Sequence, residues 1–91
     1  MTLTIQIGNT DGKLDQSEWS DFVESVRTVL IAHSQIHFFG GSENWMKWQN
    51  VAWVVDIDPK KLPMIKRLIK DVRQRFRQDS VAFTEGVTLF V

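Results

Sequence analysis

Ninety-one residues, 43% apolar and 24% charged, with only two prolines and five glycines, make one folded domain over residues 1–91 and exclude a disordered chain. Eleven acidic residues balance eleven basic ones, so no global field draws the chain to nucleic acid or anionic lipid, and zero cysteines exclude a disulfide scaffold and thiolate metal centres. That cysteine usage predicts a reducing, cytoplasmic setting, and no apolar run approaches the ~20 residues of a membrane span.

Leu3, Ile5 and Ile7 alternate with Thr2, Thr4 and Gln6, the period of a strand with one buried face, and a polar turn follows over 8–13. Asp15 with Glu18 three residues on forms a capping-box pattern, and Leu14 with Trp19 has staple spacing, so a helix starts here. Trp19, Phe22, Val26 and Leu30 line one side of it, while Glu18, Asp21 and Glu24 stay outside. A short strand over 35–39 ends at Gly40-Gly41, and the apolar run 51–57, ended by Asp58-Pro59, suits a central strand covered on both faces. Between them, 42–50 is a polar, aromatic loop.

Asp58 can cap a second helix with Pro59 in its first turn. Ile65, Leu68, Ile69, Val72 and Phe76 form its apolar stripe, with Lys66, Lys70, Arg73 and Arg77 as a basic row. Two β-like stretches, 80–84 and 87–91, flank Glu85-Gly86 as a hairpin or a bulged strand. The apolar Val87, Leu89, Phe90 and Val91 are expected to be paired, as a hairpin with 80–84 or with the same segment of a neighbouring subunit, because an exposed edge of that makeup invites another strand.

The resulting β-α-β-β-α-β order resembles the ferredoxin-like α/β plait, an α+β fold. That resemblance implies an antiparallel sheet with both helices on one face, here with an extra C-terminal β piece. The plait hosts enzymes, RNA binders, sensors and dimerisation modules alike, so it carries no chemistry by itself. Segments 5–19 and 76–83 also resemble those of small uncharacterised bacterial and phage proteins, which bring no activity with them.

Charge is unevenly spread: residues 1–58 hold three basic against eight acidic residues, and eight of the eleven bases fall within 60–77. A basic helix could follow a phosphate backbone, but an RNA-recognition sheet needs aromatics on its central strands, and Thr4, Ile5, Gln6 and Ile7 supply none. A nucleic-acid-binding role for the second helix is therefore the weakest alternative. An acidic first helix offsetting a basic second one explains the same charges.

The string from Asn9 to Glu18 resembles an EF-hand calcium loop, with Gly12 at the tight turn and Asn9, Asp11, Asp15 and Glu18 on ligand positions. Ile7 falls on the first ligand position, though, and a turn followed by a capping box accounts for the residues without a metal. His33 and His37 are four apart, but a strand over 35–39 separates them, so no metal site and no cofactor is expected. Three of the four tryptophans fall within 45–53, where they serve either as a lid on the core or as a binding surface.

The sequence thus points to a non-enzymatic domain that self-associates through its sheet as a homodimer or larger homo-oligomer. It is expected to bind an unidentified small molecule or protein partner through His37, Trp45, Trp48, Gln49, Asn50 and Trp53. The competing class is a small plait-type enzyme, an isomerase or cofactor-free oxygenase, with His37 as general base and Asp56 orienting it if both share a face.

Overall fold

A computed structural model describes residues 1–42 and 49–91. Strand β1 (Thr2–Gly8), helix α1 (Gln16–His33), strands β2 (Gln35–Gly41) and β3 (Asn50–Asp56), helix α2 (Leu62–Arg75) and strand β4 (Ala82–Gly86) follow in that order. The four strands form one sheet in the order β2-β3-β1-β4, and every neighbouring pair is antiparallel.

Register assigns the faces. Leu3 lies opposite Val55, Ile5 opposite Trp53 and Phe83, and Ile7 opposite Val51, so these side chains share one face. Trp19, Phe22, Val26 and Leu30 of α1 and Ile65, Ile69 and Val72 of α2 pack on that face in a single core. Phe76 stacks on Phe22 at 5.2 Å between ring centres and joins the two helices. Each large core side chain contributes roughly 1.5–3 kcal/mol. The other face carries Thr2, Thr4, Gln6, Ala52, Val54, Phe38 and Thr84 under no helix.

Helix α1 begins as its sequence predicts. Asp15 accepts from the Glu18 amide at 2.8 Å, and the Glu18 carboxylate accepts from the Asp15 amide at 3.3 Å, completing the capping box. Helix α2 starts later than expected. Asp58 caps only a short 3-10 turn, Pro59–Lys61, and α2 follows from Leu62. Pro63 has no N–H to give the Pro59 carbonyl, so the Leu62 N–H takes that oxygen and the turn tightens.

The end of α2 is closed by backbone hydrogen bonds. Gln78 N–H reaches the Arg73 carbonyl at 3.1 Å and Arg77 N–H the Gln74 carbonyl at 3.2 Å, a Schellman motif. Arg77 holds its left-handed position with φ +57°, where glycine is the usual residue.

Two expectations are corrected. Strand β3 is central but covered by helices on one face only: Trp53 and Val55 are buried, while Ala52 and Val54 on the other side are half-buried. An apolar residue on an uncovered face is shielded in part by its strand neighbours, so an unbroken apolar run did not require a second layer. The extra C-terminal β piece is absent: Glu85-Gly86 lies inside β4, and residues 87–91 form no strand. Gly86 pairs with Thr2, the first residue of β1, and the ladder between the two strands ends at that pair. Val87, Leu89, Phe90 and Val91 are at least 80% exposed, and among the described residues only the Thr2–Thr88 hydroxyl contact ties the tail by a hydrogen bond.

Candidate functional site

Three chain junctions gather at one end of the sheet: 9–15 after β1, Ser42 and Gln49 at the facing ends of β2 and β3, and 76–81 before β4. A buried amide network holds the first two together. Asn9 donates to the Leu14 carbonyl at 2.9 Å and accepts from the Leu14 amide at 3.1 Å, while its own amide N–H donates to the Gln49 carbonyl at 2.9 Å. Gln49 exchanges hydrogen bonds with Gln16, at 2.9 and 3.2 Å, and accepts from Asn9 Nδ2 at 3.2 Å. Satisfied networks of this kind rigidify their surroundings. The third connection is tied on by Arg77–Glu18 at 2.7 Å and Lys13–Asp79 at 3.5 Å.

Two hollows flank this end. One, of about 480 Å³, lies between α1 and β2 with Trp19, Val23, Phe39 and Val51 as apolar walls and Gln16 and Asn50 at its polar rim. The second, of about 420 Å³, includes Gln6, Thr10, Asp11, Asn50, Asp79 and Ser80. Asn50 lines both. At the Gly41 edge of the first, a Cβ would run into the Asn50 carbonyl oxygen, so only glycine lets β2 approach β3 there.

Of the described residues expected to form one site, Gln49 and Asn50 line the first hollow, and Trp53 and His37 do not. Trp45 and Trp48 lie outside the described residues. Gln49 is buried and its side chain is committed to Asn9 and Gln16, which makes it an anchor of the site rather than a free contact. Trp53 is wholly buried on the helix side and lines neither hollow; it bears on the first only through the Phe39 ring at 5.5 Å. Its Nε1 is a buried donor with no acceptor among the described residues.

His37 lies on the uncovered face toward the opposite end, at a bulge between Ile36 and Phe38. It shares a hollow of about 390 Å³ with Thr2, Val54, Asp56, Thr88 and Phe90. Register does bring His37 and Asp56 to one face, but among the described residues no hydrogen bond or ion pair joins them. Asp56 instead accepts from the N-terminal ammonium at 3.2 Å. His33 ends α1.

The side chains of the calcium-like string are employed in holding the turn. Asn9 is buried in the amide network, Asp11 accepts from the Lys13 amide at 3.1 Å, and Asp15 and Glu18 form the capping box. Ile7 is a core residue of β1. Among the described residues no group of three or more histidine, aspartate or glutamate side chains is placed to hold a metal, and no helix is long and apolar enough to cross a membrane.

Sequence reasoning missed Phe39 and Gln16. Phe39 looked like one more strand residue, and the Gln16–Gln49 pair joins positions 33 apart that no local pattern connects. No family model matches the chain, and no curated protein matches it.

Proposed function

We propose that this chain is a non-enzymatic ferredoxin-like plait domain that pairs with a second copy of itself through the uncovered sheet face. The β-α-β-β-α-β order, with β1 and β3 central and both helices on one side, supports the plait assignment. The observation that carries the pairing is the uncovered face itself, continuous with an apolar tail at near-full exposure. Four strands ~4.8 Å apart, rising ~3.3 Å per residue, present roughly 400 Å² in projection. The tail adds a few hundred Å², so the two together approach the ~800 Å² per partner of a standard interface.

The chemistry of the face favours self-pairing. Its ionisable side chains, His37 and Asp56, lie toward one end, and the middle, Thr4, Gln6, Ala52, Val54 and Thr84, is uncharged. Two copies related by a two-fold axis therefore meet without like-charge repulsion at the centre. Sedimentation equilibrium is the test: a mass of twice 10.6 kDa is expected, and a strictly monomeric species at tens of micromolar refutes the proposal.

In each copy the loop-end hollow beside Phe39 is the surface for a small ligand. Aromatic walls with a few amides and hydroxyls suit a neutral, planar molecule, and Glu24 is the one charged side chain among its described lining residues. Amide chemical shifts of residues 16–24 and 39–42 would report such binding. The enzyme reading is the second one, favoured by the shared hollow of His37 and Asp56. A general base and its orienting acid need hydrogen-bond reach, and here substrate would have to bring them together.

A further inference from the structure

A different surface, independent of the pairing reading, is the cleft between α2 and the edge strand β4. Its volume is about 330 Å³, and its lining includes the cations Lys66, Lys70 and Arg73, the apolar Ile69, Val81 and Phe83, and one carboxylate, Asp79. The three cations recur at steps of four and three residues, so they stand on one stripe of α2 above an apolar floor. Ile69 is buried, and Val81 and Phe83 pack against the core from the β4 side.

The cations differ in how far they are engaged. Lys66 closes one end through its 2.7 Å ion pair with Glu85. Arg73 closes the other: its Nη1 donates to the Gln78 carbonyl at 2.8 Å and the Asp79 carbonyl at 3.2 Å. Those bonds fix the guanidinium yet leave the N–H donors of Nε and Nη2 without a protein acceptor among the described residues. Lys70, between them, has no ion-pair partner among the described residues, and the Asp79 carboxylate is drawn toward Lys13. A fixed guanidinium fork with spare donors, a free ammonium beside it and an aromatic floor are complementary to an oxyanion attached to an apolar body.

We propose that the α2–β4 cleft binds a small organic anion, whose phosphate or carboxylate sits on Arg73 and Lys70 and whose apolar part lies over Phe83 and Val81. The distribution of charge supports it: Lys60, Lys61, Arg67 and Arg75 on the same helical segment are also exposed and without an ion pair among the described residues, so the neutral chain presents a local positive field there.

The test is an amide chemical-shift titration of the full chain with phenyl phosphate and with benzoate, which separate a phosphate head from a carboxylate head, and with phenol and inorganic phosphate as half-ligands. Saturable shifts confined to residues 69–73 and 80–83 are expected for at least one of the two anions, with phenol and inorganic phosphate each about tenfold weaker or more. Lys70→Gln removes an exposed, unpaired charge and keeps the fold, and it should weaken binding about tenfold, the equivalent of one charge-assisted contact. Arg73→Lys retains charge but not the fork and should weaken binding by a similar factor. Binding unchanged in Lys70→Gln, inorganic phosphate binding as tightly as phenyl phosphate, no saturable shift with either anion, or shifts elsewhere on the surface would each overturn the proposal. Single-stranded oligonucleotides whose affinity climbs with length would overturn it too, because a polyanion would then be the ligand.

Discussion

Replacing Val54 by aspartate separates pairing from folding. Val54 lies opposite Thr4 and Phe38 in the middle of the uncovered face, away from the helix-side core. In the free chain the carboxylate can stay hydrated, so folding loses only strand preference and partial burial, on the order of 1 kcal/mol. In the pair, two carboxylates are dehydrated near the two-fold axis, at several kcal/mol each even after relaxation. A loss of only ~2.7 kcal/mol raises the dissociation constant about 100-fold. Sedimentation velocity over about 1–100 μM, with urea unfolding of the same samples, measures both quantities. Val54→Asp with wild-type association, or unfolded at all concentrations, would refute the assignment of this face.

Three further outcomes are expected. Deleting residues 87–91 should lower the mass in solution toward the single chain yet shift the melting temperature of a monomeric Val54→Asp background by less than about 3 °C, since the tail buries little. A drop of 10 °C by calorimetry would show that the tail packs. Trp53→Phe should cost less than about 1.5 kcal/mol in urea unfolding, because roughly 40 Å³ of cavity at ~24 cal/mol per Å³ is offset by removing an orphaned donor worth ~1–3 kcal/mol. Trp53→Ala should cost about 3–5 kcal/mol, and a Trp53→Phe cost above 2.5 kcal/mol would mean that Nε1 is satisfied. Arg77→Gly should be at least as stable as wild type by thermal unfolding, since relief of the left-handed backbone, ~1 kcal/mol, outweighs an exposed ion pair of ~0.5 kcal/mol; Arg77→Ala, with no such relief, should fall about 1 kcal/mol below it.

What the sequence made legible was local. Asp15, Glu18 and the Trp19-to-Leu30 stripe predict α1 because capping and amphipathicity act within a few residues. Alternation in β1 predicts its buried face for the same reason. The hairpin or bulged strand expected over 80–91 does not form within the chain, because pairing there depends on the register of β1, eighty-odd residues earlier, and the ladder ends where Gly86 meets Thr2. The site was less legible still. Gln49 looks like a polar loop residue, and only the fold brings Gln16 and Asn9 to its amide. Trp53 carried the binding expectation through its proximity to Trp45 and Trp48. Its parity in β3, fixed by pairing with Ile5, turns it inward to the core instead.

The segregation of charge also makes the two proposed surfaces separable. The acidic and basic halves of the sequence meet in Arg77–Glu18 and Lys13–Asp79, while Lys66–Glu85 closes within the second half. Exposed pairs of this kind contribute ~0–1 kcal/mol each, so they orient the connections more than they stabilise the fold. Lys70 is left over on α2, on the helix side of the sheet, while the pairing face on the opposite side carries no lysine or arginine among its described residues. Pairing through the uncovered face directs both copies of α2 outward, and the anion cleft of each stays open. Val54→Asp should therefore leave phenyl phosphate or benzoate affinity unchanged within about twofold, and Lys70→Gln should leave the dimer dissociation constant unchanged within the same margin. Coupling beyond that in either direction would mean that the two faces communicate through the sheet, and that the layered arrangement of neutral face, core and basic helix does not insulate them.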